Sequence, residues 1–442
     1  MSKENTTTTN TITTAETMTE LYEEVSNELD EQSLNSNEKL LNSDEYTETE
    51  LNYYDSFDDM KLDTDLLRGV YGYGFEKPTY IQGKAIIPMA SGFDIIAQSQ
   101  AGTGKTGCFL IGLFQKYQNQ LKKEQTIKTT NGLDYTFSII LSPTRELAEQ
   151  TYNVAKQISK YMKNLQIDLQ MGGDKKHWDK WDRSAQVIQH IIIGTPGRIY
   201  DNIKNNKYSI DKLDNIIIDE ADEMLSRGFI NQMYELFKYI PHSTQVMLLS
   251  ATLSPTVLEL SKKITKEAVN ILVKKEYLTL DNIKQYYVLL AKNQKLDCLV
   301  DLFKSITITQ SIIYVNTKNT CQYICSKLQN EGFSISMISG DLDATERRNT
   351  MNDFRTGKTR VLLSTDLLSR GIDIQQVSVI INFDMPFDKE TYLHRIGRSG
   401  RFGKKGLSIS FVCDNEFNII SELEKFYNCQ IPELPNNLSA LV

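Results

Sequence analysis

A chain of 442 residues with 40% apolar and 24% charged content is long enough for two or three domains with proper cores and has an ordinary globular composition. No apolar run approaches the roughly 18 residues of a membrane span, which argues against a helical membrane protein. The net charge of −8 hides an imbalance: residues 1–55 hold 14 acidic side chains and two lysines, while the rest carries 47 basic and 43 acidic ones, as a nucleic-acid binder with a local positive field would.

The N-terminus shows neither a basic-then-apolar signal nor an Arg-rich transit composition, so an intracellular protein is expected, cytoplasmic or, as the alternative, nuclear. Residues 1–55 are rich in Thr, Asn, Ser and Glu and lack Pro, Gly and Arg. Such a stretch buries too little apolar surface to offset its ordering entropy, and an acidic disordered tail is expected. Leu21, Tyr22, Val25 and Leu29 form a short apolar stripe for a transient helix. The tail's charge suggests competition with nucleic acid for a basic cleft, or recruitment of a partner. Six cysteines, at 108, 298, 321, 325, 413 and 429, lack zinc spacing and read as ordinary thiols.

From Phe57 onward, strand-like apolar runs alternate with longer helical stretches. Ile95–Gln98, Phe137–Leu141, Ile191–Gly194, Asn215–Asp219 and Gln245–Ser250 read as buried parallel strands. A second series follows with Gln285–Leu290, Ser311–Val315, Ile335–Ile338, Val361–Thr365, Ser378–Phe383 and Leu407–Val412. The alternation implies two α/β domains with open parallel sheets, over residues 56–273 and 284–442, joined by a linker at 274–283. Ligands of such sheets sit beyond the carboxyl ends of the strands, where the polar motifs fall.

Ser99-Gln100-Ala101-Gly102-Thr103-Gly104-Lys105-Thr106 lies between a strand and a helix start. Its glycines let backbone amides approach phosphate oxygens, Lys105 reaches the outer phosphates, and the Thr106 hydroxyl suits magnesium. Ser99 stands where the usual pattern has glycine. After the strand Ile216-Ile217-Ile218 comes Asp219-Glu220-Ala221-Asp222, an acidic tip of the kind that places magnesium and orients water in phosphoryl transfer. Asp219 is expected to hold the metal and Glu220 to position and deprotonate water. Far along the chain, His394-Arg395-Ile396-Gly397-Arg398-Ser399-Gly400-Arg401 forms a cationic strip suited to closing over the same phosphates. A site split in this way requires two bodies to meet.

With Gly74-Phe75-Glu76-Lys77-Pro78-Thr79-Tyr80-Ile81-Gln82, Pro143-Thr144-Arg145-Glu146-Leu147-Ala148, Gly172-Gly173, Thr195-Pro196-Gly197-Arg198, Ser250-Ala251-Thr252, Ser364-Thr365-Asp366 and Ser369-Arg370-Gly371-Ile372-Asp373 in this order, residues 57–442 resemble the DEAD-box RNA helicases. Phe57-Asp58-Asp59-Met60, Leu66-Leu67-Arg68-Gly69, Asp222–Phe229 and Ile271–Lys275 resemble more narrowly the translation-initiation branch, with the exon-junction branch as competitor. The resemblance implies two RecA-like domains, with ATP and Mg2+ as cofactors. It implies that Gln82 reads the adenine edge, Phe57 packs on the base, Phe75 buttresses that loop, and Asp373 contacts the ribose. Arg398 and Arg401 would act on the γ-phosphate, while Asp222, Ser250, Thr252 and His394 would couple closure to RNA.

The same resemblance implies an RNA surface from Pro143, Thr144, Arg145, Gly172, Gly173, Thr195, Gly197 and Arg198, joined by Thr365, Arg370 and Gly371. Such residues grip the sugar–phosphate backbone regardless of base. The implied activity is ATP-dependent RNA helicase by a monomer, with an initiation-type scaffold as protein partner. An ATP-locked RNA clamp with incidental hydrolysis is the alternative, and a DNA translocase a more distant one. Ser339 stands where relatives place His, Thr345-Glu346-Arg347-Arg348 lacks a usual Gln, and both are expected on the RNA face. Trp178 and Trp181 lie in a segment unlike the family's and read as packing residues.

Overall fold

A computed structural model of the chain describes residues 51–100, 102–127, 133–172, 188–226, 228–272, 283–305, 310–366, 377–399 and 405–435. The first lobe begins with α1 (Thr64–Tyr73), α2 (Tyr80–Ser91), β1 (Ile95–Gln98), α3 (Lys105–Ile127), β2 (Ser138–Leu141), α4 (Arg145–Ile158) and β3 (Ile167–Gln170). It continues with β4 (Ile191–Gly194), α5 (Pro196–Lys204), β5 (Asn215–Asp219), α6 (Ala221–Met224), α7 (Ile230–Phe237), β6 (Gln245–Ser250), α8 (Pro255–Ile264) and β7 (Val269–Ile271). The second lobe comprises β8 (Ile283–Leu289), α9 (Lys295–Ser305), β9 (Ser311–Tyr314), α10 (Lys318–Asn330), β10 (Ile335–Ile338) and α11 (Ala344–Arg355), then β11 (Val361–Ser364), β12 (Val379–Asn382), α12 (Lys389–Ile396), β13 (Gly406–Val412) and α13 (Phe417–Tyr427).

Each lobe is built on one parallel sheet, as the alternating pattern implied. The orders are β3-β4-β2-β5-β6-β1-β7 and β10-β11-β9-β12-β13-β8. The central strands are covered by helices on both faces, which is why Ile191–Ile193 and Ile216–Ile218 are apolar without alternation and fully buried. Two core layers flank the first sheet, one gathering Phe109, Phe114, Tyr117 and Phe137, the other Ile199, Met224, Met233 and Leu248. In register, Ile95–Gln98 lies beside Met247–Ser250, so the loop after β1 starts next to the end of β6.

Strands β3 and β7 were not legible in the sequence. They are the two edges of the first sheet, half-buried, and their Asp168, Gln170 and Asn270 break the apolar run that marks a central strand. Residues 1–50 of the tail, most of the expected linker, and Trp178 and Trp181 lie outside the described residues.

Close helix packing sets one stringent requirement. A β-carbon on Gly69 of α1 would fall 1.8 Å from the Ile158 carbonyl oxygen at the end of α4. Gly69→Ala is therefore expected to lower stability by about 1–3 kcal/mol, the usual cost of overpacking. An unchanged denaturation midpoint would show that the two helices separate freely.

Candidate active site

The loop after β1 folds into a phosphate cradle because two of its residues take backbone angles suited to glycine. Gly102 and Gly104 have φ of 81° and 89°, and a β-carbon on Gly104 would lie 2.6 Å from Gln82 Nε2. Ser99 N donates to Ser250 O at 3.0 Å, tying the loop to the end of β6, and the Ser99 and Thr103 hydroxyls are bonded to each other. Lys105 Nζ donates to the Ser99 and Gln100 carbonyls at 2.6 and 2.9 Å, so its own loop satisfies it. Burial pushes the Lys105 pKa down, and the Glu220 and Asp219 carboxylates oppose that shift. Thr106, half-buried, opens the first turn of α3.

Beside this loop, Gln82 is fully buried. Its Oε1 accepts from Thr79 N at 2.9 Å and its Nε2 donates to Gly104 O at 3.1 Å, so the carboxamide ties the start of α2 to the cradle. Phe57 is also fully buried, its ring centroid 6.3 Å from those of Tyr71 and Phe75. Phe75 presses in turn on the first turn of α3, where a β-carbon on Gly107 would meet its ring at 2.7 Å.

The strand β5 delivers the acidic tip. Asp219 is buried, and its Oδ1 accepts from Glu220 N at 3.0 Å. Glu220 has φ 50° and ψ 57°, a left-handed conformation that costs a non-glycine residue about 1–3 kcal/mol. That turn buries the carboxylate, and among the described residues its Oε2 has no hydrogen-bond partner. Hard oxygen donors on Thr106 and Asp219, an orphaned oxygen on Glu220 and an undercompensated buried carboxylate make a set that fits magnesium.

Asp222 joins the two lobes. Ser250 Oγ and Thr252 Oγ1 each donate to it at 2.6 Å, and His394 Nε2 from α12 lies 2.8 Å from its Oδ2. Since a carboxylate only accepts, the proton sits on His394 Nε2. Arg398 follows one turn later, buried, with Nε donating to the His394 carbonyl at 3.0 Å. Its charge acts on Lys105, which places it at the phosphate loop of the other lobe. Arg395 corrects the reading of the whole 394–401 strip as phosphate-facing. It is fully buried in the second lobe, with Nε and Nη2 donating to Asp366, Nη2 also to Asn316, and Nη1 to the Asp384 carbonyl. Adjacent helix positions point about 100° apart, so His394 and Arg395 cannot serve the same site.

A cleft of about 400 Å3 also opens between the lobes, lined by Pro143, Thr144, Arg145, Gly172, Thr195, Gly197 and Arg198 together with Gly340, Leu342 and Arg347. The N-termini of α4 and α5 face it, with Thr144 accepting from Leu147 N as a cap and Pro196 at the first helical position. Both ends present free amides and partial positive charge to an anion. Thr365 sits half-buried just past β11 and is not part of that lining. Ser339 does not face the cleft as expected; it is buried behind exposed Gly340. Ala101, Gly173, Arg370, Gly371, Asp373 and Arg401 lie outside the described residues.

Sequence reasoning missed a second bridge between the lobes. Arg347 Nη2 donates to Glu146 Oε2 at 2.6 Å, its Nε lies against Oε1, and both residues are buried. Arg348 and Glu149 pair more loosely beside them at 3.9 Å. The available signal was one acidic and one basic residue in separate motifs, with no basic residue three or four positions from Glu146 to pair it locally.

Residues 79–260 match the family described as DEAD/DEAH box helicase, and residues 294–403 match the helicase conserved C-terminal domain. The chain is 46% identical over 389 residues to the ATP-dependent RNA helicase eIF4A of Chaetomium globosum, covering 88% of this chain and 94% of that one. Among solved structures, S. cerevisiae Dbp5 bound to RNA and ADP BeF3 superposes with a TM-score of 0.78 at 35% identity, over 88% of this chain and 97% of that one. Mss116p bound to ssRNA and AMP-PNP gives 0.75 at 26% identity, over 88% and 82%.

One titration follows from the acidic tip. The Asp219 carboxyl is pushed up to about 7, chiefly by burial and then by the Glu220 charge, with Lys105 opposing. An acid whose folded pKa exceeds its unfolded value destabilises progressively as pH rises from about 4, and the loss is complete above about 7. Between pH 5 and 7 the nucleotide-free protein is therefore expected to lose stability through this group as pH rises. Asp219→Asn removes that slope in thermal melts. Identical slopes in both proteins would contradict the assignment.

Proposed function

The chain belongs to the DEAD/DEAH box helicase family, and from that premise we propose how its own residues run an ATP-dependent RNA helicase cycle. The observation that carries the reading is the buried cluster of Ser250, Asp222, Thr252 and His394, which makes the nucleotide site and the interlobe contact one object.

ATP enters on the first lobe, with adenine at Gln82, Phe57 and Phe75 and the triphosphate in the 99–106 loop. Lys105 exchanges its two loop carbonyls for outer phosphate oxygens. Magnesium, held by Thr106 and Asp219, would neutralise charge on the phosphates when bound. The lone Glu220 Oε2 orients the attacking water and takes its proton. Arg398, with Arg401, balances the charge that develops on the transferred phosphoryl group, a role worth about 10³–10⁵ in rate elsewhere. Asp373 holds the ribose.

RNA lies in the second cleft, its phosphates on the amides of α4 and α5 and on Arg145 and Arg198, with Gly172, Gly173, Thr195 and Gly197 leaving room for the backbone. Thr365, Arg370 and Gly371 complete the grip from the second lobe. No base edge is read, so binding is sequence-independent and weakens steeply with salt. Closure bends one strand and parts a short duplex; phosphate release reopens the cleft. The likeness to eIF4A helicases supports work in translation initiation; a cytoplasmic monomer acting beside a scaffold protein that spans both lobes is part of the same proposal. No described helix is long and apolar enough to cross a membrane.

Glu220→Gln is expected to bind ATP and RNA within about threefold of wild type while RNA-stimulated turnover falls about 10²–10⁴-fold, the range for a lost general base. Turnover near the wild-type rate would remove Glu220 from that role.

A further inference from the structure

The first lobe carries a second concavity, away from the lobe interface. Met60 and Ile87 contribute an apolar floor to a groove of about 690 Å3, and Lys61, Lys116, Lys122 and Lys123 line it. Lys61, Lys122 and Lys123 are exposed; Lys122 pairs with Asp63 at 2.8 Å. Lys116 turns inward, donating to Asn215 Oδ1 and Gln245 Oε1. Helix α3 starts at the phosphate loop, so Lys116 and Lys123 lie roughly 16 and 27 Å down its axis, toward the amino ends of the strands. Neither ATP nor RNA reaches this groove in the cycle above.

Where the described residues begin, at Leu51, the chain lies against α2, which carries Ile87. Tyr53 stacks on Tyr80 and Tyr54 N donates to Gly83 O at 3.1 Å, whereas the Leu51 carbonyl accepts from Lys84 Nζ at 3.1 Å. Lys84 Nζ also lies 6.0 Å from the Tyr80 ring centroid, so Leu51 sits over the first turn of α2, roughly 10 Å along the helix axis from Ile87. The seven residues before Leu51 read Asp44-Glu45-Tyr46-Thr47-Glu48-Thr49-Glu50, four carboxylates around one aromatic ring. Extended, seven residues reach about 23–25 Å, more than enough to cross the groove from Leu51.

We infer that residues 44–50 dock in this groove, with Asp44, Glu45, Glu48 and Glu50 set against Lys61, Lys122 and Lys123 and Tyr46 against Met60 and Ile87. Docking there holds the acidic segment on the face opposite the RNA cleft, so the tail does not compete with RNA. Length, charge and the single aromatic suit this occupant. The attraction is between exposed charges and is screened by salt.

Zero-length carbodiimide crosslinking of the full chain, dilute and at low salt, reads the contact directly. The expected amide links join residues 44–50 to Lys61, Lys122 or Lys123 in the monomer. They vanish at high salt, fall severalfold in a Lys61→Glu/Lys123→Glu variant, and persist when a single-stranded RNA oligonucleotide is added. The inference is overturned by an absence of links, by links spread over lysines elsewhere, by links found only in a dimer, or by links that RNA displaces.

Discussion

A buried carboxylate needs hydrogen-bond donors, and Asp222 finds one of them, His394, in the other lobe. Ser250 and Thr252 satisfy it from within the first lobe, so the open protein is viable. His394 joins them across the lobe interface. A hydrogen bond to a charged group contributes about 1.5–3 kcal/mol, and the Arg347–Glu146 pair adds a second such contact beside the RNA cleft. These are modest energies. They suit a clamp whose balance two ligands can tip, because a shift of a few kcal/mol moves a two-state equilibrium by orders of magnitude.

The same closure concentrates charge where phosphoryl transfer needs it. Lys105, Asp219, Glu220 and Arg398 are all buried; the charges of Glu220, Asp219 and Arg398 act on Lys105, and those of Glu220 and Lys105 act on Asp219. Burial strengthens every interaction there and raises the cost of leaving any group unmatched. The strained turn at Glu220 and its unpaired oxygen are tolerable in that setting only if a ligand completes the site. Backbone links between Ser99 and Ser250 carry the coupling further, since the phosphate loop and the Asp222 partners share neighbouring strands.

Much of this was legible from the chain. Central strands announced themselves as unbroken Ile and Leu runs, and the cradle as glycines between a strand and a helix. Edge strands escaped because exposure lets polar residues in, as at Asp168 and Asn270. Among the site residues, the 394–401 strip was read as one cationic surface, whereas helical geometry sends Arg395 into the second lobe and His394 across the interface. The Glu146–Arg347 bridge was invisible for another reason: its partners are 201 residues apart, and nothing local fixes how the lobes face each other. Gln82 was assigned to adenine, but its hydrogen bonds to Thr79 and Gly104 depend on a backbone approach that no letter encodes.

The central claim is that hydrolysis requires the lobes to meet at Asp222. His394→Glu sets a carboxylate against that residue and opposes the contact by like-charge repulsion while leaving the first lobe intact. RNA-stimulated ATP turnover, measured alongside binding of a fluorescent nucleotide, should then fall about a hundredfold or more, as expected if Arg398 no longer reaches the phosphates, with nucleotide affinity little changed. Wild-type turnover in that variant would mean that the first lobe cleaves ATP without its partner.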